Sequence, residues 1–481
     1  MKNSIAFDNT YAQLPDRFFS VQNPTPVATP GLIRINQSLA AQLGIDGAWL
    51  ASAEGLEVLA GNAIPSGASP IATVYAGHQF GSWNPQLGDG RAVLLGEVLD
   101  AQGQRFDIQL KGSGPTPYSR GGDGRAPLGP VLREYIVSEA MFALGVPTTR
   151  SLAAVTTGEP VFRESALPGG VLTRVAKSHI RIGTFEFFAV KQDIDGLKIL
   201  ADHVIARHYP DAAKAENPYL ALLAAAISSI AALVSQWQQL GFIHGVMNTD
   251  KSLLSGETID YGPCAFMDSF DPTKVYSAID RGGRYAYQKQ PEIAHWNLMV
   301  LAQSLLPLID ADQEQAVVLA KEALAQFPIA FHAHHRRGMA AKLGLANATQ
   351  PDEQLIRELL ELMNNEAMDY TLTFRHLSDP ASHKLLPVRL MPWIEDWLAR
   401  AATETDGKPD YTLMRAVNPM CIPRNHLIEA VINAAIGEDD FGPFEEFVKV
   451  LQTPYDDLPL DSPFTQPPRP DQIVQNTFCG T

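Results

Sequence analysis

Cysteine and positive charge are both scarce in this sequence. Its 481 residues include 3 cysteines, and 37 Lys and Arg stand against 53 Asp and Glu, which gives a formal net charge of -16. Three cysteines cannot frame a disulfide-rich secreted fold, and their spacing matches no zinc site. A surface this acidic repels nucleic acid and anionic membranes. We therefore expect a cytoplasmic protein whose partners include neither nucleic acid nor membrane.

The sequence also lacks a long apolar segment. Residues 1–19 contain two Asp and no apolar core of the kind found in signal peptides. The longest apolar stretch, residues 221–234, is too short and too rich in serine to cross a bilayer, so it predicts a buried helix. A Gly-x-Ser-x-Gly elbow is missing as well, and a hydrolase triad therefore has no support.

Turn signals, strand patterns and helical patterns follow one another along the chain. Residues 1–70 are rich in turn-forming residues and predict an irregular N-terminal extension with short helices. Strand patterns dominate residues 71–190, helical patterns dominate 191–450, and a Pro-rich tail occupies 451–481. We therefore predict a two-lobed α+β fold with a strand-rich first lobe and a helical second lobe.

Alternating patterns identify the strands of the first lobe. The sequence predicts three strands, and in the last of them, residues 105–111, Phe106, Ile108 and Leu110 share one face. Lys111 ends this strand on the opposite face. A strand-like pattern returns over residues 173–188. The three predicted strands are residues 71–77, 92–99 and 105–111.

Two glycine-bearing segments accompany these strands. Residues 77–91 and 112–129 are polar, and each contains a Gly-Asp-Gly triplet, so we interpret both as loops. Residues 130–144 then predict a helix, because Pro130 suits a first helical turn and Gly145 suits a helix end.

Four features occur in the order of the working parts of a protein kinase. Glycine-rich loops flank the strand that ends in Lys111, and Glu134 lies on the next helix. The polar loop 241–250 follows a long helix, and Asp260 begins an Asp-Tyr-Gly triplet. Each feature alone has an ordinary explanation, such as a turn or a solvated surface charge. The prediction of a phosphate site depends on their order along the chain.

The chemistry of such a site needs these residue types. Backbone N–H groups and a fixed Lys hold phosphates, and one carboxylate positions that Lys. A second carboxylate holds a metal ion that bridges phosphate oxygens, and a third accepts the proton of the attacking side chain. Arg174, Lys177 and Arg181 add a basic cluster to a very acidic chain, which indicates either a polyanion site or a surface stripe.

The motifs extend far beyond single residues. Over nearly its whole length the sequence resembles the selenoprotein O family, including its bacterial YdiU-like members. The matching stretches include residues 75–92, 108–126, 132–141, 244–250 and 258–268. The resemblance implies a protein-kinase-like fold with family-specific N- and C-terminal extensions. It also implies a protein adenylyltransferase, which transfers AMP from ATP, or UMP from UTP, to Ser, Thr, Tyr or His side chains of proteins with Mg²⁺ or Mn²⁺.

The resemblance also implies roles for individual residues. Lys111 would hold phosphates and pair with Glu134, and Asp250 would be the general base. Asp260 would bind the metal ion. The residues expected to bind the nucleotide are Gly88, Gly90, Arg91, Lys111, Asp123, Gly124, Arg174, Arg181 and Asp260.

One position departs from the family pattern. The motif at 244–250 continues with Lys251, where the family has an Asn that is a metal ligand. An ammonium group has no acceptor lone pair and repels a cation. Lys251 therefore contacts phosphate directly, or the chain is an ATP-binding pseudoenzyme with weakened catalysis. An ordinary phosphotransferase is disfavoured because the kinase His-Arg-Asp triplet is absent.

The resemblance points to a regulatory disulfide. Cys264 lies four residues after Asp260, and Cys479 is the third residue from the end of the Pro-rich tail. Some relatives carry selenocysteine near the C-terminus, so we predict an intramolecular disulfide between these two residues. The alternative is two unrelated thiols.

Overall fold

An antiparallel sheet organises the first part of the chain. The computed structural model describes residues 5–404, 407–459 and 461–478. The strands of the sheet are β1 (Phe19–Val21), β2 (Gly31–Ile35), β3 (Ile71–Gln79), β4 (Ser82–Gly88), β5 (Ala92–Leu99), β6 (Arg105–Lys111), β7 (Ala126–Pro127), β8 (Arg150–Phe162) and β9 (Ala166–Ala176). They follow the order β1-β3-β5-β6-β9-β8-β2, with β4 paired to β3 and β7 paired to β9. A separate ribbon pairs β10 (Phe242–Ile243) with β11 (Ala265–Phe266).

Helices predominate after the sheet. The α-helices are α1 (Gln37–Gln42), α2 (Gly47–Leu50), α3 (Ala53–Ala60), α4 (Leu128–Ala143), α5 (Ile182–Val190), α6 (Ile194–His208), α7 (Pro218–Leu240), α8 (Gln290–Ile309), α9 (Gln313–Leu324), α10 (Gln326–Lys342), α11 (Asp352–Asn365), α12 (Tyr370–Leu377), α13 (Met391–Ala401), α14 (Tyr411–Val417), α15 (Asn425–Glu438) and α16 (Gly442–Leu451). Short 3₁₀ helices occupy Tyr11–Gln13, Asp16–Phe18, Pro210–Lys214, Thr249–Lys251, Tyr287–Lys289, Pro380–Leu385 and Val388–Leu390. The predicted mixture of a strand-rich first part and a helical second part is confirmed.

The strand predictions hold for β3, β5 and β6 and fail at β4 and at the segment that forms α5. β5 and β6 have the predicted bounds, and β3 runs two residues beyond its predicted end. The loop predicted within 77–91 is wrong, because β4 pairs with β3 across a tight turn at Phe80 and Gly81, both with positive φ. β4 is largely exposed and polar, which hides it from a hydrophobic pattern. The strand predicted to residue 188 is also wrong, since residues 182–188 lie in α5, an apolar helix buried on all sides.

Helix α7 forms the centre of the helical part. Asn217 caps its N-terminus by accepting a hydrogen bond from the N–H of Leu220, Pro218 occupies the first turn, and Gly241 ends it with a φ of 68°. By length and composition alone, α7 is the one helix of the described residues that reaches the size of a membrane span. Half of its most apolar window is buried in the protein, and it packs against α8, α9 and α10. This agrees with the predicted buried helix.

The two faces of β6 pack against different parts of the chain. Phe106, Ile108 and Leu110 join a core that includes residues of α1 to α3. On the site side, α4 packs on β8 and β9 and is covered in turn by α15 and α16. Replacing a fully buried residue such as Leu110 with Ala costs about 2–5 kcal/mol in proteins of this kind. The sheet and α4 therefore position the side chains that lie between them.

Candidate active site

A cavity of about 1030 Å³ opens between the sheet and the helical part. Its wall includes both segments that carry a Gly-Asp-Gly triplet and the residues around the Asp-Tyr-Gly triplet. Every residue predicted to act at the site lines this cavity: Gly88, Gly90, Arg91, Lys111, Asp123, Gly124, Glu134, Arg174, Arg181, Asp250 and Asp260. Lys177, which the sequence grouped with Arg174 and Arg181, is exposed instead and does not line it.

Two cations meet the Glu134 carboxylate inside this cavity. β6 and β9 are paired in register with Gln109 opposite Arg174, and Lys111 ends β6. The Lys111 ammonium donates to Oε2 of Glu134 at 2.5 Å. The Arg174 guanidinium donates to Oε1 through two nitrogens, at 2.6 and 2.9 Å. The structure thus places the predicted Lys111–Glu134 pair together and adds Arg174 to it.

Burial and charge act in opposite directions on these groups. Burial disfavours the carboxylate form of Glu134, but Arg174 and Lys111 outweigh burial and lower the pKa of Glu134. Burial lowers the pKa of Lys111, and the neighbouring charge of Arg174 adds to that effect. A solvated surface charge, the ordinary explanation of Lys111, is therefore excluded.

Four cations converge on the Asp260 carboxylate. Its Oδ1 accepts from Lys111 at 3.0 Å and from Arg174 at 2.5 Å. Its Oδ2 accepts from Arg181 at 3.2 Å and from Lys251 at 2.7 Å. Burial opposes ionisation of Asp260, but the four cations outweigh it and hold its pKa well below the ordinary value. The backbone of Asp260 has a φ of 64°, a strained conformation that is common at functional sites.

The loop that carries Asp250 is held by the end of β3. The N–H of His78 donates to the Thr249 hydroxyl at 2.8 Å, and the N–H of Phe80 donates to the Asn248 side chain at 3.0 Å. A Cβ on Gly77 would lie 3.1 Å from the Asp250 carboxylate, so glycine allows this close approach. Oδ1 of Asp250 is buried and has no hydrogen-bond partner among the described residues. Such an oxygen can accept a hydrogen bond from a group that enters the cavity.

Sequence reasoning missed the residues that support these side chains. The Arg181 guanidinium lies 4.6 Å from the centre of the Tyr75 ring and donates to the backbone oxygen of Asp250 at 2.5 Å. Tyr285 donates its hydroxyl to the Asn248 side chain at 2.7 Å. Tyr75 and Asn248 lie in motifs that were recognised as whole stretches, whereas Tyr285 gives no local signal because it lies far along the chain.

The rim of the cavity is built from the second glycine-rich segment and the β8–β9 hairpin. Arg163 donates to the Asp123 carboxylate at 2.8 and 3.1 Å, and these hydrogen bonds lower the pKa of Asp123. Arg163 also donates to the backbone oxygen of Arg125 at 3.0 Å. Gly124 has a φ of 65°, and a Cβ there would collide with the backbone of Gly114. Asp123 therefore shapes the rim, and its predicted contact with nucleotide stays a prediction.

The expected divalent metal ion does not fit the residues as they are arranged. The two oxygens of Asp260 already accept hydrogen bonds from four cations, and Lys251 lies between Asp260 and Asp250. Among the described residues, no group of three or more His, Cys, Asp or Glu is placed to hold a metal. A metal ion would need oxygen ligands where this chain presents an ammonium group.

The predicted disulfide involves a residue outside the described part of the chain. Cys264 is a free, fully buried thiol, and burial raises its pKa to about 12. Cys479 lies outside the described residues. Thr477, two residues before it, donates its hydroxyl to the backbone oxygen of Pro263 at 2.6 Å. The tail therefore reaches the segment that carries Cys264.

These features define a class of protein: one with mixed α and β structure, a large antiparallel sheet and a buried cationic cavity suited to a polyphosphate. A family model described as "Protein adenylyltransferase SelO" matches residues 2–452. The chain therefore belongs to the SelO family, as its motifs predicted. This membership also confirms the prediction of an enzyme of the nucleotidyltransferase class.

Bacterial relatives match over almost their full length. A protein of Bradyrhizobium diazoefficiens named "Protein nucleotidyltransferase YdiU" is 57% identical over 485 residues, which cover 99% of both chains. A protein of the same name from Rhodopseudomonas palustris is 58% identical over 485 residues, again covering 99% of both. The relative of that name from Alkalilimnicola ehrlichii is 55% identical over 488 residues, covering 99% of this chain and 98% of its own.

Proposed function

We propose that this chain is a cytoplasmic enzyme that transfers AMP from ATP, or UMP from UTP, to Ser, Thr, Tyr or His side chains of proteins. One observation supports this proposal most strongly: one buried cavity contains Lys111, Arg174, Arg181 and Lys251, although the chain as a whole has a formal net charge of -16. These four cations are paired with carboxylates, but the cavity as a whole is lined by eight Lys and Arg against five Asp and Glu, and a polyanion would balance that excess of positive charge. A nucleoside triphosphate supplies that charge, and the relatives' names supply the protein acceptor.

We assign the chemical step to this chain's own side chains. The acceptor oxygen attacks the α-phosphorus, the bond from that phosphorus to the bridging oxygen of the leaving pyrophosphate breaks, and pyrophosphate departs. Oδ1 of Asp250 takes the proton from the acceptor hydroxyl. Lys111, Arg174 and Arg181 stabilise the negative charge that develops on the leaving group. Gly88, Gly90, Arg91 and Gly124 line the cavity around the nucleotide.

The proposal includes a protein-kinase-like arrangement, which the order of the site residues along the chain supports. Residues 71–190 would be the nucleotide-binding lobe and residues 191–450 the helical lobe, with extensions at 1–70 and 451–481. Lys111, Glu134 and Asp260 follow one another along the chain in the order of the lysine, the glutamate and the metal-binding aspartate of a protein kinase. All three line the same cavity, and Lys111 pairs with Glu134. The family resemblance implies Mg²⁺ or Mn²⁺ on Asp260, but the ammonium of Lys251 lies between Asp260 and Asp250, and the step above uses no metal ion.

A labelling experiment tests the central claim. The protein is incubated with ATP labelled at either the α- or the γ-phosphate, together with a mixture of acceptor proteins, in Mg²⁺, in Mn²⁺ and in EDTA. Label on protein from the α position alone supports nucleotidyl transfer. Label from the γ position alone overturns it and makes the chain a kinase. The Asp250→Asn variant is the matched control, because any label that appears on protein equally with this variant does not come from catalysis by the enzyme.

A second candidate is an ATP-binding pseudoenzyme. The observation in its favour is Lys251, whose ammonium lies 2.7 Å from Asp260 and 3.6 Å from Asp250, where a metal-using enzyme would place its cation. Absence of label from both positions, with ATP binding intact by calorimetry, would favour this candidate over a transferase.

A further inference from the structure

The Lys251 ammonium lies between two carboxylates. Its Nζ is 2.7 Å from Oδ2 of Asp260 and 3.6 Å from Oδ2 of Asp250. The Lys251 side chain is 22% exposed and lines the cavity. A pair of carboxylates on either side of a phosphate site ordinarily shares a divalent cation. Here a covalently attached cation takes that place.

The backbone on both sides of Lys251 is anchored. The N–H of Lys251 donates to the backbone oxygen of Asn248 at 2.9 Å. Asn297 donates to the next hydroxyl, that of Ser252, at 2.9 Å and to the backbone oxygen of Met247 at 3.0 Å. All these partners except Ser252 are buried. The loop therefore presents the side chain of Lys251 from a fixed point rather than from a mobile surface turn.

We infer that Lys251 is a built-in replacement for a divalent cation, so that this chain binds its nucleoside triphosphate without Mg²⁺ or Mn²⁺. The ammonium has three N–H donors. Two can serve Asp260 and Asp250, and one is left for a phosphate oxygen in the cavity. Arg174, Arg181 and Lys111 supply the rest of the positive charge. A divalent cation entering here would meet an ammonium group at close range, which repels it. The identity of the ligand rests on the proposed function.

Binding measurements test this inference without using transfer activity. The affinity for ATP is measured by calorimetry in EDTA and in excess Mn²⁺, for the wild type and for Lys251→Asn. We expect wild-type affinity in EDTA to equal or exceed its value in excess Mn²⁺, because Mn²⁺ complexes ATP in solution and the wild type binds the metal-free form. In Lys251→Asn, loss of a charged hydrogen bond should weaken binding in EDTA about tenfold or more. Mn²⁺ should restore it, because an Asn oxygen can join Asp250 and Asp260 as a ligand.

Direct detection of the metal gives an independent result. Electron paramagnetic resonance of Mn²⁺ should show no stoichiometric binding to the wild type with ATP, and stoichiometric binding to Lys251→Asn. Lys198→Asn, which removes an exposed lysine paired with Asp202, should behave as the wild type. Lys251→Gln removes the charge and shortens the side chain by one atom, and thermal unfolding of both Lys251 variants shows that they fold.

Two outcomes would overturn the inference, and they differ from failure of the proposed function. The first outcome is stoichiometric Mn²⁺ binding to the wild type with ATP, and the second is a tenfold loss of wild-type ATP affinity in EDTA. Either one contradicts the role inferred for Lys251 and leaves the proposed function standing. Absence of ATP binding in every condition contradicts both this inference and the proposed function. Metal-free ATP binding without any transfer leaves the inference standing and favours the pseudoenzyme.

Discussion

Oε1 of Glu134 accepts hydrogen bonds from two nitrogens of Arg174, at 2.6 and 2.9 Å. The second oxygen of Glu134 accepts from Lys111 at 2.5 Å, so one buried carboxylate positions two cations. Because such a pair is desolvated, removing one partner leaves a buried charge without compensation. Substitutions at this site therefore need a variant that separates loss of function from loss of folding.

Lys111→Ala should weaken ATP binding about tenfold and lower transfer about 100-fold or more, because it removes one cation from the phosphate site. Arg174 still forms ion pairs with Glu134 and Asp260 in this variant, so we expect the variant to fold. Calorimetry and the α-label assay measure the two effects, with Lys198→Ala as the exposed-lysine control. Unchanged binding together with unchanged transfer would remove Lys111 from the site.

Asp250→Asn should abolish proton acceptance while keeping the shape of the loop. We expect the transfer rate to fall about 10²- to 10⁴-fold, the usual contribution of a general base. Affinity for ATP should stay near the wild-type value or rise, because the substitution removes a negative charge 3.6 Å from the Lys251 ammonium and leaves every cation of the cavity in place. Rapid-quench assays of α-label transfer give the rate. A rate close to that of the wild type would assign the base to another residue.

Lys342→Met should stabilise the protein in a pH-dependent way. Burial lowers the pKa of Lys342 to about 7, and its ammonium lies 4.3 Å from the centre of the Phe374 ring without an ion-pair partner among the described residues. The unfolded chain binds this proton more tightly, so wild-type stability falls as pH drops from about 10 to 7. The gain in Lys342→Met should be about 4 kcal/mol at pH 7 and shrink toward pH 10.

Urea unfolding of both proteins between pH 7 and pH 10 measures this difference. Lys321→Met, which removes an exposed lysine from α9, is the control for loss of a charge. A stability difference between Lys342→Met and wild type that is the same at every pH would contradict a buried, neutral Lys342.

Oxidation should join Cys264 to Cys479. Thr477 donates its N–H to the backbone oxygen of Tyr276 at 2.8 Å and its hydroxyl to that of Pro263 at 2.6 Å, so the tail is docked beside the Cys264 segment. Peptide mapping of oxidised protein without reductant should find the linked pair. Cys421, which is buried elsewhere, should stay a free thiol and serves as the internal control. Recovery of unlinked Cys264 from fully oxidised protein would exclude the disulfide.

Much of the site could be predicted from sequence because its parts lie in short ordered motifs. The strand ending in Lys111 alternates between its faces, and the helix with Glu134 follows one loop later, so their approach depends on local spacing. The family resemblance added roles for Asp250 and Asp260. The exposed Lys177 was grouped with the site because adjacency in sequence does not show which side of the chain a residue faces.

The amino-acid sequence by itself determined the family, the strands β5 and β6 and the buried helix α7, and it named several of the residues that line the cavity. Tertiary structure alone decided that four cations meet on Asp260, that Arg163 holds Asp123, and that Lys251 turns toward two carboxylates. The physical reason is distance along the chain. Alternation and turn signals act over a few residues, whereas Lys111 and Asp260 are 149 positions apart and meet only through packing of the sheet against the helical part.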